Sequence, residues 1–216
     1  MIIPVDRLLR RLRQVPSRAG ELRALRRRLR TARAAETSPE EQALALELRA
    51  LKLEISHAFG AVSTCTRCVP HHNRGVPAEQ RARLPFSGGE CCGGVTEELF
   101  SDDELAALAL AGTRARDLDA PITDHGGCAF RGLEGCTLTV ANRPQRCVHY
   151  TCKLLREELR TRGDLAPIQG LLAQLQQRMN RFVEARHERL DDELFQSLET
   201  ALVDARDQAG TPVTNR

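Results

Sequence analysis

A chain of 216 residues, 41% apolar and 28% charged, is long enough to bury a core of its own and has a globular composition. No apolar run reaches the roughly 18 residues of a membrane-spanning helix, and the seven aromatics, six Phe and Tyr150, are too few for a base-stacking platform. The net charge of +3 hides an uneven distribution: residues 1–34 carry eleven Arg against Asp6 and Glu21, while residues 96–135 carry nine acids against three Arg.

The opening Met1-Ile2-Ile3-Pro4-Val5-Asp6 breaks too soon to form the apolar core of an export signal, so a reducing, cytoplasmic location is expected, without membrane contact. Residues 1–62 read as an N-terminal helical hairpin. Ser17 is placed to cap a helix whose Leu22, Leu25, Leu29 and Ala32 share one face, the other faces being Arg. A break at Ala34 to Thr37 precedes Ser38-Pro39-Glu40-Glu41, a helix start with Ser as cap, Pro at the first position and Glu at the third. Leu44, Leu48, Leu51, Ile55, Ala58 and Val62 then continue an apolar seam. Two seams joined by a short break predict an antiparallel pair. The Arg face is expected to pair with the Glu-rich helix 39–60, so nucleic acid is not expected as a partner, and the helical arms are the candidate protein-binding surface.

Residues 63–152 are rich in Cys and Gly, with little periodicity. Ser101-Asp102-Asp103-Glu104 reads as a capping box opening a helix that buries Leu105, Leu108 and Ala109 and ends at Gly112. Asp102 and Asp103, like Asp191 and Asp192 later, suit helix starts through the dipole and need no catalytic role. Thr137 to Val140 reads as a short strand, followed by a turn at Asn142-Arg143-Pro144. Residues 153–216 are helical again. The pattern predicts a short helix over 153–162 ended by Gly163, and a long one opened by Pro167 with Ile168, Leu171, Leu175, Met179, Phe182 and Val183 on one side. Asp191-Asp192-Glu193 could open another, carrying Leu194, Phe195, Leu198, Ala201 and Leu202, and Thr211 to Arg216 is a frayed tail. The predicted fold is mostly α: a helical hairpin and C-terminal helices packed as one unit around an irregular Cys-rich metal-binding segment.

The eight cysteines carry the chemistry: Cys65, Cys68, Cys91, Cys92, Cys128, Cys136, Cys147 and Cys152, all within one 88-residue window. In a reducing compartment such a set reads as metal ligands rather than disulfides. Cys65-Thr66-Arg67-Cys68 has the spacing by which two thiolates reach one metal from a tight turn. Cys91-Cys92 is flanked by Gly88-Gly89 and Gly93-Gly94, and Cys128 follows Gly126-Gly127. Such glycines permit close backbone N–H approach to anionic sulfur. Arg131, Arg143, Arg146 and Lys153 are close enough in sequence to offset thiolate charge. His71 and His72 could replace Cys on zinc, and His149 reads as a donor to sulfur. His57, His125 and His187 receive no role.

The segment resembles the YkgJ-type cysteine-cluster family, a zinc- or iron-chelating group. The resemblance rests on Cys65-x2-Cys68, Cys91-Cys92 and the helix at Leu99-Phe100-Ser101-Asp102-Asp103-Glu104-Leu105. It continues through Cys128-x-Phe130, Gly135-Cys136-Thr137-Leu138 and Arg143-Pro144-x2-Cys147-x2-Tyr150, with Cys152 after it. It covers residues 65–152, and the 22 residues between Cys68 and Cys91 exceed the family's usual two or three. The resemblance implies iron–sulfur or zinc binding without a single shared activity; some members are flagellin lysine N-methylases. Three readings follow: a metal-cluster protein, a lysine N-methylase-like transferase, and a zinc-stabilised helical adaptor that binds protein or nucleic acid. Thiolate count suits two zinc sites, whereas the resemblance and the Gly-rich loops favour an iron–sulfur cluster. At least six of the eight sulfurs are expected to converge.

Overall fold

The computed structural model describes residues 5–62, 64, 96–120, 128–132 and 135–209. These are mostly helical. The chain runs through α1 (Val5–Ala34), α2 (Pro39–Phe59), α3 (Thr96–Leu99), α4 (Asp102–Leu110), α5 (Gln145–His149), α6 (Lys153–Arg162) and α7 (Leu165–Ala209). Turns of 3-10 helix lie at Ala115–Leu118 and Val140–Asn142. Two-residue strands β1 (Arg131–Gly132) and β2 (Gly135–Cys136) pair antiparallel, with Arg131 opposite Cys136. The strand expected at Thr137 to Val140 is therefore displaced: pairing stops at Cys136, and Val140 opens a 3-10 turn.

Helix ends follow local chemistry. Ser38 is the cap of α2: its Oγ accepts the Glu41 N–H at 3.0 Å and its own N–H donates to Glu41 Oε1 at 3.4 Å. Ser38→Ala is expected to lower the unfolding free energy by about 1 kcal/mol, read from the denaturant midpoint at unchanged slope. Gly163 ends α6 with φ of 80°, a conformation that favours glycine. Ser17 lies inside α1, which already begins at Val5. Likewise Asp191 and Asp192 open no new helix, because α7 runs unbroken for 45 residues, about 67 Å at 1.5 Å per residue.

The predicted hairpin is not formed as a packed pair, because α4 lies between its arms and packs against both α1 and α2. Residues 104–109 of α4 are all buried, so this helix is core on every side. Its Leu105, Leu108 and Ala109 meet Leu22, Leu25 and Leu29 of α1, together with Phe100, Leu118 and Phe130. The Phe100 and Phe130 rings stack tilted, with centroids 5.5 Å apart. The other side, Ala106 and Ala107, joins Leu44, Leu48 and Ile55 of α2 and Ile168, Leu172, Leu175, Met179 and Phe182 of α7. Helices α2 and α7 thus share a core, as their stripes require. Leu172 rather than Leu171 faces fully inward, while Leu171 and Val183 are half-buried at the edge.

The charges pair differently from the sequence expectation. Among the described residues, three acids of α2 meet arginines of α7 and none meets an arginine of α1: Glu47 pairs with Arg178 at 3.0 Å, Glu40 with Arg181 at 3.5 Å, and fully buried Glu41 with Arg189. Helix α1 uses Arg26 on Asp119 and Arg28 on Asp102. Among the described residues, no helix is long and apolar enough to cross a membrane.

Candidate metal centre

The described cysteines sit on two supports. Cys128 is buried beside Ala129 and Phe130 in the α1–α4 core, and Cys136 packs on the same cluster. The backbone here is pinned on both sides. Buried Thr96 accepts the Ala129 N–H at 3.0 Å, and the Thr137 N–H donates to the Phe130 carbonyl at 2.8 Å. Phe130 therefore anchors Cys128 and Cys136 by its ring and its carbonyl together.

The second support carries Cys147 and Cys152. Buried Lys52 of α2 donates from Nζ to the Arg143 carbonyl at 2.8 Å. Buried Glu104 of α4 accepts the Gln145 N–H on Oε1 at 2.8 Å, at the start of α5. Two core side chains thus fasten the Arg143-Pro144-Gln145 turn, one at a carbonyl and one at an N–H. The Cys147 that follows lies close enough to Lys52 for their charges to interact. Gln145 adds a bond from Nε2 to Gln176 of α7 at 2.8 Å. Cys152 packs against the α2–α7 core and caps α6, its Sγ accepting the Leu155 N–H at 3.4 Å. Sulfur accepting an N–H at a helix start is in an environment that suits negative charge.

Burial dominates the electrostatics of the two clamping groups. It lowers the Lys52 pKa below 10.5, and Arg49 adds to that, while Glu104 and Cys147 pull it back up. It raises the Glu104 pKa above 4.5, with a smaller push from Asp103, against Lys52 and the N–H donors of Gln145 and Arg146. The charged ends of Lys52 and Glu104 form no direct ion pair among the described residues, and Glu104 Oε2 has no hydrogen-bond partner there.

Cys65, Cys68, Cys91 and Cys92 lie outside the described residues, as do His71, His72 and His125, so the expected convergence of six sulfurs falls outside them too. Among the described residues no three Cys, His, Asp or Glu gather closely enough to hold a metal ion, so 128, 136, 147 and 152 do not make a site by themselves. His149 is exposed at the end of α5. Of the expected charge-offsetting residues, the Arg131 side chain lies outside the described residues. Arg143 donates to the carbonyls of Leu138 at 3.0 Å and Cys136 at 3.5 Å, and Arg146 and Lys153 face solvent. Lys52 adds a positive charge that acts on Cys147.

No family model, curated protein or solved structure matches the chain.

Lys52 and Glu104 are the residues of the candidate site that sequence reasoning missed. Lys52 had a signal: it stands four residues after Leu48 and three before Ile55, on the apolar seam itself, where a lysine requires a buried partner. Glu104 was masked by a good local explanation. Ser101 Oγ does accept the Glu104 N–H at 3.2 Å, but the carboxylate turns away to Gln145 instead of closing the box.

Proposed function

We propose that the chain is a metal-binding cysteine-cluster protein of the YkgJ type, whose thiolates hold an iron–sulfur cluster, with zinc as the alternative metal. The observation that carries this reading is the clamp on residues 143–147. Burying a lysine and a glutamate costs free energy that an ordinary surface turn does not need. Here both are committed to the main chain beside Cys147, the cysteine in the most specific part of the resemblance. The donor chemistry fits a soft metal: sulfur ligands, a nearby ammonium and N–H donation to Cys152. Cys128, Cys136, Cys147 and Cys152 would supply ligands from the clamped segment, and Cys65, Cys68, Cys91 and Cys92 the rest. A bound iron–sulfur cluster supplies one-electron chemistry; zinc supplies structural closure.

Purification without oxygen, followed by metal and sulfide analysis and an absorption spectrum, tests the proposal. Iron with acid-labile sulfide and a visible band is the expected result. Stoichiometric zinc without a visible band replaces iron by zinc. A full-length protein that takes up neither metal on reconstitution overturns the reading.

A further inference from the structure

Among the described residues, the last third of α7 and one face of α1 are left uncovered. After Arg189, which is held by Glu41, α7 continues with no Gly or Pro until Gly210. Residues 190–206 therefore project as about 24 Å of helix. All side chains from 194 to 206 are exposed, including Leu194 at 56%, Phe195 at 69%, Leu198 at 51% and Leu202 at 71%. Contiguous apolar stripes of this kind mark interaction surfaces in soluble proteins. The same 17 residues carry five acids against Arg206, a net charge of −4.

The second surface is built by α1. A groove of about 780 Å³ runs between it and the 3-10 turn at Ala115–Leu118, lined by Arg23, Arg26, Arg27, Arg30 and Arg116. Its other lining residues include Gly20, Ala24 and Ala115, all small, and Asp119, which Arg26 already engages. Arg23, Arg27 and Arg30 are exposed and make no ion pair among the described residues. Helix α2, the expected source of their counter-charges, gives Glu40, Glu41 and Glu47 to α7 instead.

We propose that the groove of one copy receives the acidic helix 190–206 of a second copy. Three observations select this occupant. The charges are complementary, whereas two such tails laid side by side would repel, at −4 each. The small residues leave room for Leu194, Phe195 and Leu198, and arginine stems cover apolar side chains while their heads stay in water. The chain's own tail is not packed on α1, and an unbroken helix cannot fold back to reach it. Exchange in both directions closes a two-fold dimer with two equal contacts. This inference does not depend on the bound metal.

Sedimentation of the full-length chain tests it. Dimer is expected at about 0.01 M salt, and weaker association at about 1 M, where the screening length falls from about 30 Å to about 3 Å. Arg23→Glu/Arg27→Glu/Arg30→Glu, Asp192→Arg/Glu199→Arg/Asp204→Arg, and Leu194→Ser/Leu198→Ser are each expected to raise the dimer dissociation constant roughly tenfold or more. Combining the two charge reversals in one chain should restore association. Because all these side chains are exposed, each variant should keep its helical circular dichroism. A monomer at low salt overturns the proposal, as does a dimer indifferent to the arginine changes, which would mean tail-to-tail pairing. A monomer that captures a labelled DNA duplex through the same arginines overturns it as well, and makes phosphate backbone the occupant.

Discussion

Glu104→Ala is expected to lower the unfolding free energy by about 3 kcal/mol or more. The carboxylate is 7% exposed, accepts the Gln145 N–H and offsets the charge of Lys52, which is 3% exposed. Alanine would leave a buried N–H without its acceptor and a buried ammonium without its nearest counter-charge. Lys52→Met keeps the apolar stem and has a different signature in pH. Burial holds the Glu104 pKa above 4.5 in the folded protein, so the folded state keeps a proton that the unfolded chain releases. That contribution to stability is complete below pH 4.5 and is lost as pH rises through the folded value. Lys52, with its pKa lowered mainly by burial, works in the opposite sense: the penalty on its charge is relieved as pH rises toward 10.5. With methionine at position 52, nothing pulls the Glu104 pKa back except the Gln145 and Arg146 N–H groups, and Asp103 still pushes it up. The variant should therefore lose more stability against the parent at about pH 8 than at about pH 5. Denaturant midpoints of Lys52→Met, Glu104→Gln and the double variant at both pH values read this out. The double variant should lose less than the two singles added together, because the groups are coupled. Equal losses at both pH values and strict additivity would show that the two groups do not sense each other.

Helix boundaries were legible wherever the backbone needs a particular residue at the end. Ser38-Pro39, Ser101 and Gly163 each sit where the chain must satisfy an N–H or turn left-handed, and α2, α4 and α6 begin or end there. Helix partners were less legible. An apolar seam states that a face is buried, not what buries it. The α1 and α2 seams suit one another in sequence, yet α4, buried on all sides over 104–109, takes both. The acids of α2 could be counted but not matched, since Arg178, Arg181 and Arg189 of α7 offer the same charge as the arginines of α1. For the candidate centre, the cysteine positions were plain, but the clamp was not. It joins residues 52, 104 and 143–145, which no local spacing relates.

Cys147→Ser is expected to abolish metal binding while sparing the helical core. Structural zinc in small domains contributes about 10–16 kcal/mol of apparent binding free energy, most of it expressed as folding. Here the α2–α4–α7 core is closed by Leu48, Ile55, Leu159, Leu175 and Phe182, none of which depends on a sulfur. Loss of the metal should therefore loosen the segment around 128–152 without unfolding the bundle. The variant should fall to near-zero bound metal, lose any visible band and exchange its amide hydrogens faster over 128–152, with the helical circular dichroism largely kept. Chelation of the parent protein should produce the same pattern. Cys128→Ser differs in a way that separates ligation from packing. Its side chain is 8% exposed within the α1–α4 core, so exchanging the larger, less polar sulfur for a hydroxyl there should also destabilise the metal-free protein. Cys147→Ser should cost the metal-free protein less than Cys128→Ser, because Cys147 is half-buried and Cys128 is buried. A Cys147→Ser protein that keeps its full metal content would remove this residue from the ligand set. The clamp formed by Lys52 and Glu104 would then serve the joint between the helices rather than the metal.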